Sequence, residues 1–178
     1  MARYTIDPDH SVAAFSVRHL AIANIRGQFN KLSGVINFDR DNIFRSSVEA
    51  EIDAAGITTG VKKRDAHLLS PDFFDVEKYP KITFKSTKIE VTGDNQGKVT
   101  GDLTIHGITR SVTMDVKYSG PVKSPLGGEI SLGFTATTSI NREDFGMTWN
   151  VPLDNGGIMV DKDVQITIDI EADLTGGN

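Results

Sequence analysis

The stretch Asp9-His10-Ser11 places side by side the three residue types of a hydrolytic triad: an acid, an imidazole and a hydroxyl. Contiguity argues against that chemistry. In an extended segment His10 and Ser11 point to opposite faces, so the imidazole cannot take the hydroxyl proton. No nucleophile-elbow pattern occurs elsewhere in the chain. These residues are therefore assigned a structural part, with Asp7 or Asp9 bonding the local backbone. The four histidines, His10, His19, His67 and His106, lack the tight spacing that puts two ligands on one helical face. Only packing of the helix on an early strand would bring His19 and His67 together. There are no cysteines, which removes thiolate nucleophiles and Cys-based zinc sites. No catalytic residue, metal ligand or cofactor is assigned, and the chain is read as a non-enzyme.

The formal charge of −5 comes with no basic block long enough to follow a phosphate backbone, so nucleic acid is not an expected partner. Lys62-Lys63-Arg64 reads as the wet face of a helix. No window approaches the roughly 18 to 20 consecutive apolar residues that cross a bilayer as a helix. Met1 runs straight into folded-looking sequence with no leader pattern. The expected compartment is the cytoplasm for the chain as written, and the periplasm if a leader has been removed. At 178 residues with 38% hydrophobic content, one domain over residues 1–178 is expected.

The elements that would position any site follow a period of two. Val164, Ile166, Ile168, Ile170 and Ala172 alternate with polar residues, giving one apolar face and one wet face. The same alternation marks Val48 to Ala54, Val112 to Tyr118 and Ile130 to Ala136. A long run from Ile25 to Phe38 is expected to bend at Gly27 or Gly34, and the phase change between Phe84 and Ile89 predicts a bulge. His106-Gly107 reads as a two-residue hairpin. Two helical pieces interrupt the strands. One runs from about Thr59 to Leu69, and the other is a single turn, Asn141 to Gly146, capped by Asn141 and ended by Gly146. About eight short antiparallel strands argue for a barrel or a sandwich, and periodicity does not choose between them.

Four separated stretches decide the comparison. They are Tyr4-Thr5-Ile6-Asp7-Pro8-Asp9-His10-Ser11 with Phe15-Ser16-Val17-Arg18-His19; Arg64 through Pro80 with Ile82-Thr83-Phe84; Gly101 through Arg110; and Asn141-Arg142-Glu143-Asp144-Phe145-Gly146. Over nearly its whole length the chain resembles the YceI-like family. That resemblance implies an all-β, eight-stranded antiparallel, lipocalin-like barrel with one short helix and one helical turn near the mouth. It implies non-enzymatic binding or carriage of a long isoprenoid-type lipid, a polyisoprenoid or isoprenoid quinone, in the lumen, and a homodimer as in some relatives.

An eight-stranded barrel has an interior wide enough either to be filled by side chains or to hold one slender ligand. Candidate lining residues from the strands are Phe15, Phe29, Phe38, Phe84 and Phe134, interspersed with small residues such as Ala13, Ala50, Gly101 and Ala136. From the connections come Phe73, Phe145, Met147 and Trp149, with Phe74 beside Phe73. A polar head group would need cations, for which Arg18 and Arg142 are the leading candidates and Arg64 and Arg110 the others. Two other readings stay open at this point: a hydrolytic or metal-dependent enzyme using histidines near the mouth, and a ligand-free interaction domain.

Overall fold

Each alternating segment has one apolar face to bury, and the sheet buries all of them together by rolling until its two edges meet. The computed structural model describes residues 1–176, so the last two positions of the expected 1–178 unit lie outside the described residues. In chain order the strands are β1 (Ala2–Ile6), β2 (Val12–His19), β3 (Ala23–Phe29), β4 (Leu32–Phe38), β5 (Ser47–Asp53) and β6 (Ile57–Thr58). After helix α1 (Lys62–Leu69) come β7 (Lys81–Gly93), β8 (Gln96–Ile105), β9 (Ile108–Lys123), β10 (Ile130–Asn141) and β11 (Val160–Gly176). All pairings are antiparallel, and β1 pairs with both β4 and β11, which closes an eight-stranded barrel.

Eleven strands make eight staves because three staves are each broken in two. β1 and β2 lie end to end along β11, separated by the loop Asp7 to Ser11. Next to them, β3 and β4 are separated at Asn30-Lys31, and then β5 and β6 at the 3-10 turn Ala54–Gly56. The run from Ile25 to Phe38 is thus not one strand bent at a glycine. It breaks at Lys31, whose φ of 62° turns the chain.

Other expectations hold with small changes. The bulge in β7 falls between Ser86 and Lys88. His106 and Gly107 have φ of 53° and 72°, the positive pair a type I′ hairpin needs. The turn after β10 is 3-10 over Arg142–Phe145, with Asn141 accepting from the Glu143 N–H and Gly146 left-handed. Helix α1 starts at Lys62 rather than Thr59, because Gly60 at φ 82° turns the chain between β6 and the helix.

The barrel has two different ends. The helix end carries α1, the β8–β9 hairpin and the turn after β10; the hairpin end carries the β4–β5, β7–β8 and β9–β10 connections. No described helix is long and apolar enough to cross a membrane.

Candidate functional site

The inward faces of the staves leave space. A cavity of about 210 Å³ lies toward the hairpin end, bounded by Phe38, Phe84, Tyr118 and Phe134 among aliphatic side chains. A second, of about 290 Å³, lies toward the helix end, bounded by Phe15, Phe29, Phe73, Phe74, Met147 and Trp149. Ile52, Ile82, Leu103, Met114 and Ile168, from β5, β7, β8, β9 and β11, border both, so the two chambers meet at a ring of apolar side chains.

Each chamber keeps its width by the same device. Phe15 on β2 stands opposite Gly27 on β3, and its ring lies across the place a side chain would occupy. A methyl group on Gly27 would overlap Phe15 Cζ and come within 2.8 Å of Cε1 and 2.9 Å of Thr59 Cγ2. In the other chamber Phe84 lies across Gly101 on β8 in the same way. The rings are folded flat against the wall, because only glycine leaves room for them there.

The helix end is roofed by two segments that meet over the lumen. One is α1 with the coil after it, where Phe73 and Phe74 are fixed by backbone bonds to Ser70 and Leu68. The other runs from Arg142 to Val160. Their contact is aromatic: the His67 ring lies edge-on to Phe73 at 5.1 Å and to Trp149 at 4.7 Å, and Phe73 and Trp149 are 5.4 Å apart.

Arg142 ties the second segment down. It is 3% exposed and donates from Nε to Asp161 O (2.8 Å), from Nη1 to Met147 O (2.6 Å) and from Nη2 to Val160 O (3.2 Å). Burial lowers its pKa, against the opposing pull of Glu143 and Asp161. Arg64, His19 and His67 share the lining of this chamber with Arg142, and among the described residues no carboxylate does. Arg64 is held by Thr59, to which it donates at Oγ1 (2.7 Å) and at the carbonyl (2.9 Å). Among the described residues, the one charged residue on the hairpin-end lining is Glu90. The lumen is therefore cationic at one end only.

Placed residue by residue, the sequence candidates divide. Phe15, Phe29, Phe73, Met147, Trp149 and Arg142 share the helix-end chamber, and Phe38, Phe84 and Phe134 share the other. Phe145 does not line either cavity; at 1% exposure it is a packed part of the roof. Arg18 is exposed and bonds only the nearby Ala21 carbonyl (3.2 Å), since it alternates with the inward Val17 and His19. It is not part of the chamber, and neither is Arg110, exposed on β9. His67 was not among the leading candidates, although its i,i+3 spacing from Arg64 on α1 puts both on one helical face.

The remaining chemistry-bearing groups lie outside the lumen. Ser11 Oγ bonds the Glu171 backbone at both its carbonyl and its N–H, not His10. His10 Nδ1 is 2.6 Å from Asp7 Oδ2, and Asp7 Oδ1 accepts the Asp9 N–H at 2.8 Å. Ligand atoms of Asp7, His10 and Glu171 come within 4.8 Å of one another, but none of the three lines a chamber. His67, on the chamber lining, is paired with Asp72 at 2.8 Å.

The Asp7–His10 pair is a clasp across the break between β1 and β2, and it titrates. Asp7 is held below its ordinary 3.8, first by the His10 hydrogen bond and then by the Asp9 N–H. His10 is raised above its ordinary 6.5, first by the Asp7 hydrogen bond, then by the charges of Asp7 and Glu171. The Asp7 contribution is complete above 3.8 and is lost as pH falls through the lowered pKa. The His10 contribution is complete below 6.5 and is lost as pH rises through the raised pKa. The clasp is thus strongest between these two values. Urea denaturation across that range should show a shallow stability maximum that His10→Gln flattens; coincident profiles for the two proteins would mean the pair contributes nothing.

A family model for the YceI-like domain matches residues 4–172. The chain belongs to the YceI-like family. The chain is similar to a UPF0312 protein of Staphylococcus aureus (strain N315), 34% identical over 175 residues that cover 98% of this chain and 99% of the relative. Among solved structures, BcnA of Burkholderia cenocepacia superposes with a TM-score of 0.79 at 26% identity, over 93% of this chain and 98% of that one. The YceI protein of Campylobacter jejuni superposes at 0.74 with 32% identity, over 89% and 90% of the two chains. A polyisoprenoid binding domain from Saccharophagus degradans shares the fold at a TM-score of 0.70 and 15% identity, over 98% and 100%. These likenesses fit the closed antiparallel barrel described above.

Proposed function

We propose that this protein binds and carries, without chemical change, a slender isoprenoid-type lipid that threads both chambers, its polar head toward Arg64, His67 and Arg142. The observation that carries this reading is the polarised lumen: two apolar chambers sharing a waist, with cationic side chains on one lining and none on the other. Enclosing a hydrocarbon chain contributes roughly 25 cal/mol per Å² of apolar surface removed from water, so an enclosure of this kind favours tight binding. The arginines suit an acceptor-rich head, since a guanidinium offers its donors in a fixed fork. The description of the Saccharophagus degradans relative as a polyisoprenoid binding domain supports the same class of cargo.

Organic extraction of the purified protein followed by mass spectrometry tests this directly, and a stoichiometric isoprenoid or quinone is the expected result. A clean extract, together with no uptake of isoprenoid alcohols of increasing length, would remove the proposal. Trp149 is the chain's one tryptophan and lines the head-group chamber, so uptake is expected to change its fluorescence. Phe134 sits with Phe38 and Tyr118 at centroid distances of 6.1 and 6.3 Å. Phe134→Trp enlarges that cluster and should cut the longest chain accepted while leaving short chains bound; an unchanged length limit would place the tail elsewhere.

A further inference from the structure

The apolar columns of the lumen do not stop where the barrel mouth opens at the hairpin end. On β9 the inward phase runs Met114, Val116, Tyr118; beyond the β8 pairing the register with β10 shifts, and Val122, 64% exposed, stands opposite the outward-facing Ser131. The corresponding columns of β10 and β11 end in Ile130 and Leu174, each 37% exposed. Val91 on β7 lines the chamber and is at the same time 49% exposed. Beyond them project Phe44, 68% exposed and adjacent to the chamber-lining Ile43, and Leu126, 98% exposed in the β9–β10 loop. The exposed apolar residues of the helix end, Ile22, Val61 and Val151, line no chamber.

Two properties of this lip select its partner. Its side chains project from separate connections and are interrupted by charged residues, whereas a stable dimer needs a contiguous, closely packed face of roughly 800 Å² per partner. A fluid acyl layer takes in separate apolar tips without requiring a complementary shape. The charges between the tips also balance: exposed Arg40, Arg45 and Lys123 stand against Asp41, Asp94 and Glu129. Attraction must then come from apolar insertion, with no pull toward anionic lipid.

We propose that the hairpin end docks on a lipid bilayer surface, with Phe44 and Leu126 inserted among the acyl chains and the chamber mouth held against the membrane. The tail of a bound lipid would then pass between bilayer and lumen without crossing water. This purpose rests on the cargo reading above; the docking itself does not.

The test is flotation of the purified protein with phosphatidylcholine vesicles, alongside light scattering for oligomeric state and Trp149 fluorescence for uptake of a soluble short-chain isoprenoid alcohol. Wild-type protein is expected to float, equally at low and high salt. Phe44→Ser with Leu126→Ser should lower partitioning at least about tenfold, because two large apolar anchors are lost, and should leave alcohol uptake unchanged. Ile22→Ser with Val151→Ser, at the other end, should change neither. Docking is overturned if wild-type protein does not float, or if the Phe44/Leu126 variant floats as well as wild type. It is also overturned if that variant converts a dimer to a monomer, which assigns the face to a second copy. Flotation without alcohol uptake would leave docking standing and remove the cargo reading.

Discussion

Alanine at Gly27 is expected to lower uptake of an isoprenoid probe at least about tenfold, with the fold intact, since displacing one aromatic ring into a narrow bore removes much of the apolar enclosure. The added methyl has nowhere to go except into the Phe15 ring and the Thr59 methyl. Both are side-chain atoms, so the strands themselves need not move. Phe15 borders the helix-end chamber, and the ring must swing off the wall into that space. Overpacking of this kind costs about 1 to 3 kcal/mol, which a barrel of this size tolerates. Phe15→Leu in the Gly27→Ala background should restore uptake by removing the ring that was displaced. Measured by Trp149 fluorescence, uptake by Gly27→Ala equal to wild type would show that the glycine does not hold the chamber open. Gly101 is the less clean position for the same experiment, because a side chain there also meets the Lys85 carbonyl at 2.5 Å.

Arg142→Met should destabilise the protein by about 3 kcal/mol or more. The methionine fills much of the volume but leaves the carbonyls of Met147, Val160 and Asp161 without their donors. An unsatisfied buried acceptor costs roughly 1 to 3 kcal/mol, and hydrogen bonds from a charged donor are worth about 1.5 to 3. Relief of the buried charge offsets part of this, so the expected value is less than the sum of three bonds. Arg142→Lys should recover only a fraction, because an ammonium cannot reach three carbonyls that were set for a planar fork. Urea unfolding gives the free energies, and Trp149 on the tethered segment reports local loosening first. A loss below about 1 kcal/mol would mean that water replaces the guanidinium without cost and that the roof is held by its aromatic contacts.

Much of the architecture is readable from the period of two. That rule puts Val164 through Ala172 on one column and every lining phenylalanine of the strands on an inward face. Applied strictly it also turns Arg18 outward, since Val17 and His19 point in. The choice of Arg18 as a head-group cation gave more weight to its chemistry than to its phase. Arg142 had no such local sign. Its burial depends on the chain folding back as far as Asp161, a tertiary event with no pattern of its own. The break at Lys31 was equally silent, because a left-handed lysine has no compositional mark, unlike a glycine or asparagine. Gly27 was visible but misread as a bend; its meaning depends on Phe15 across the ladder, and so on strand register. The waist was beyond reach for a similar reason, since its five residues come from five staves.

The two halves of the tube are also closed by different means. Around the hairpin-end chamber the wall is an unbroken circuit of backbone hydrogen bonds, through β1, β4, β5 and on to β11. Around the other, β6 ends the sheet, and helix α1 packs beside it where a neighbouring strand would stand. A ladder fixes its girth at the spacing between strands, whereas side-chain packing can yield. For the proposed cargo, the first bore is expected to act as a rigid gauge for a single chain, and the second as an elastic collar that adapts to end groups of different bulk. Slow amide exchange all the way around one half, and faster exchange along Ile57 and Thr58 in the other, is the physical signature of that division of labour.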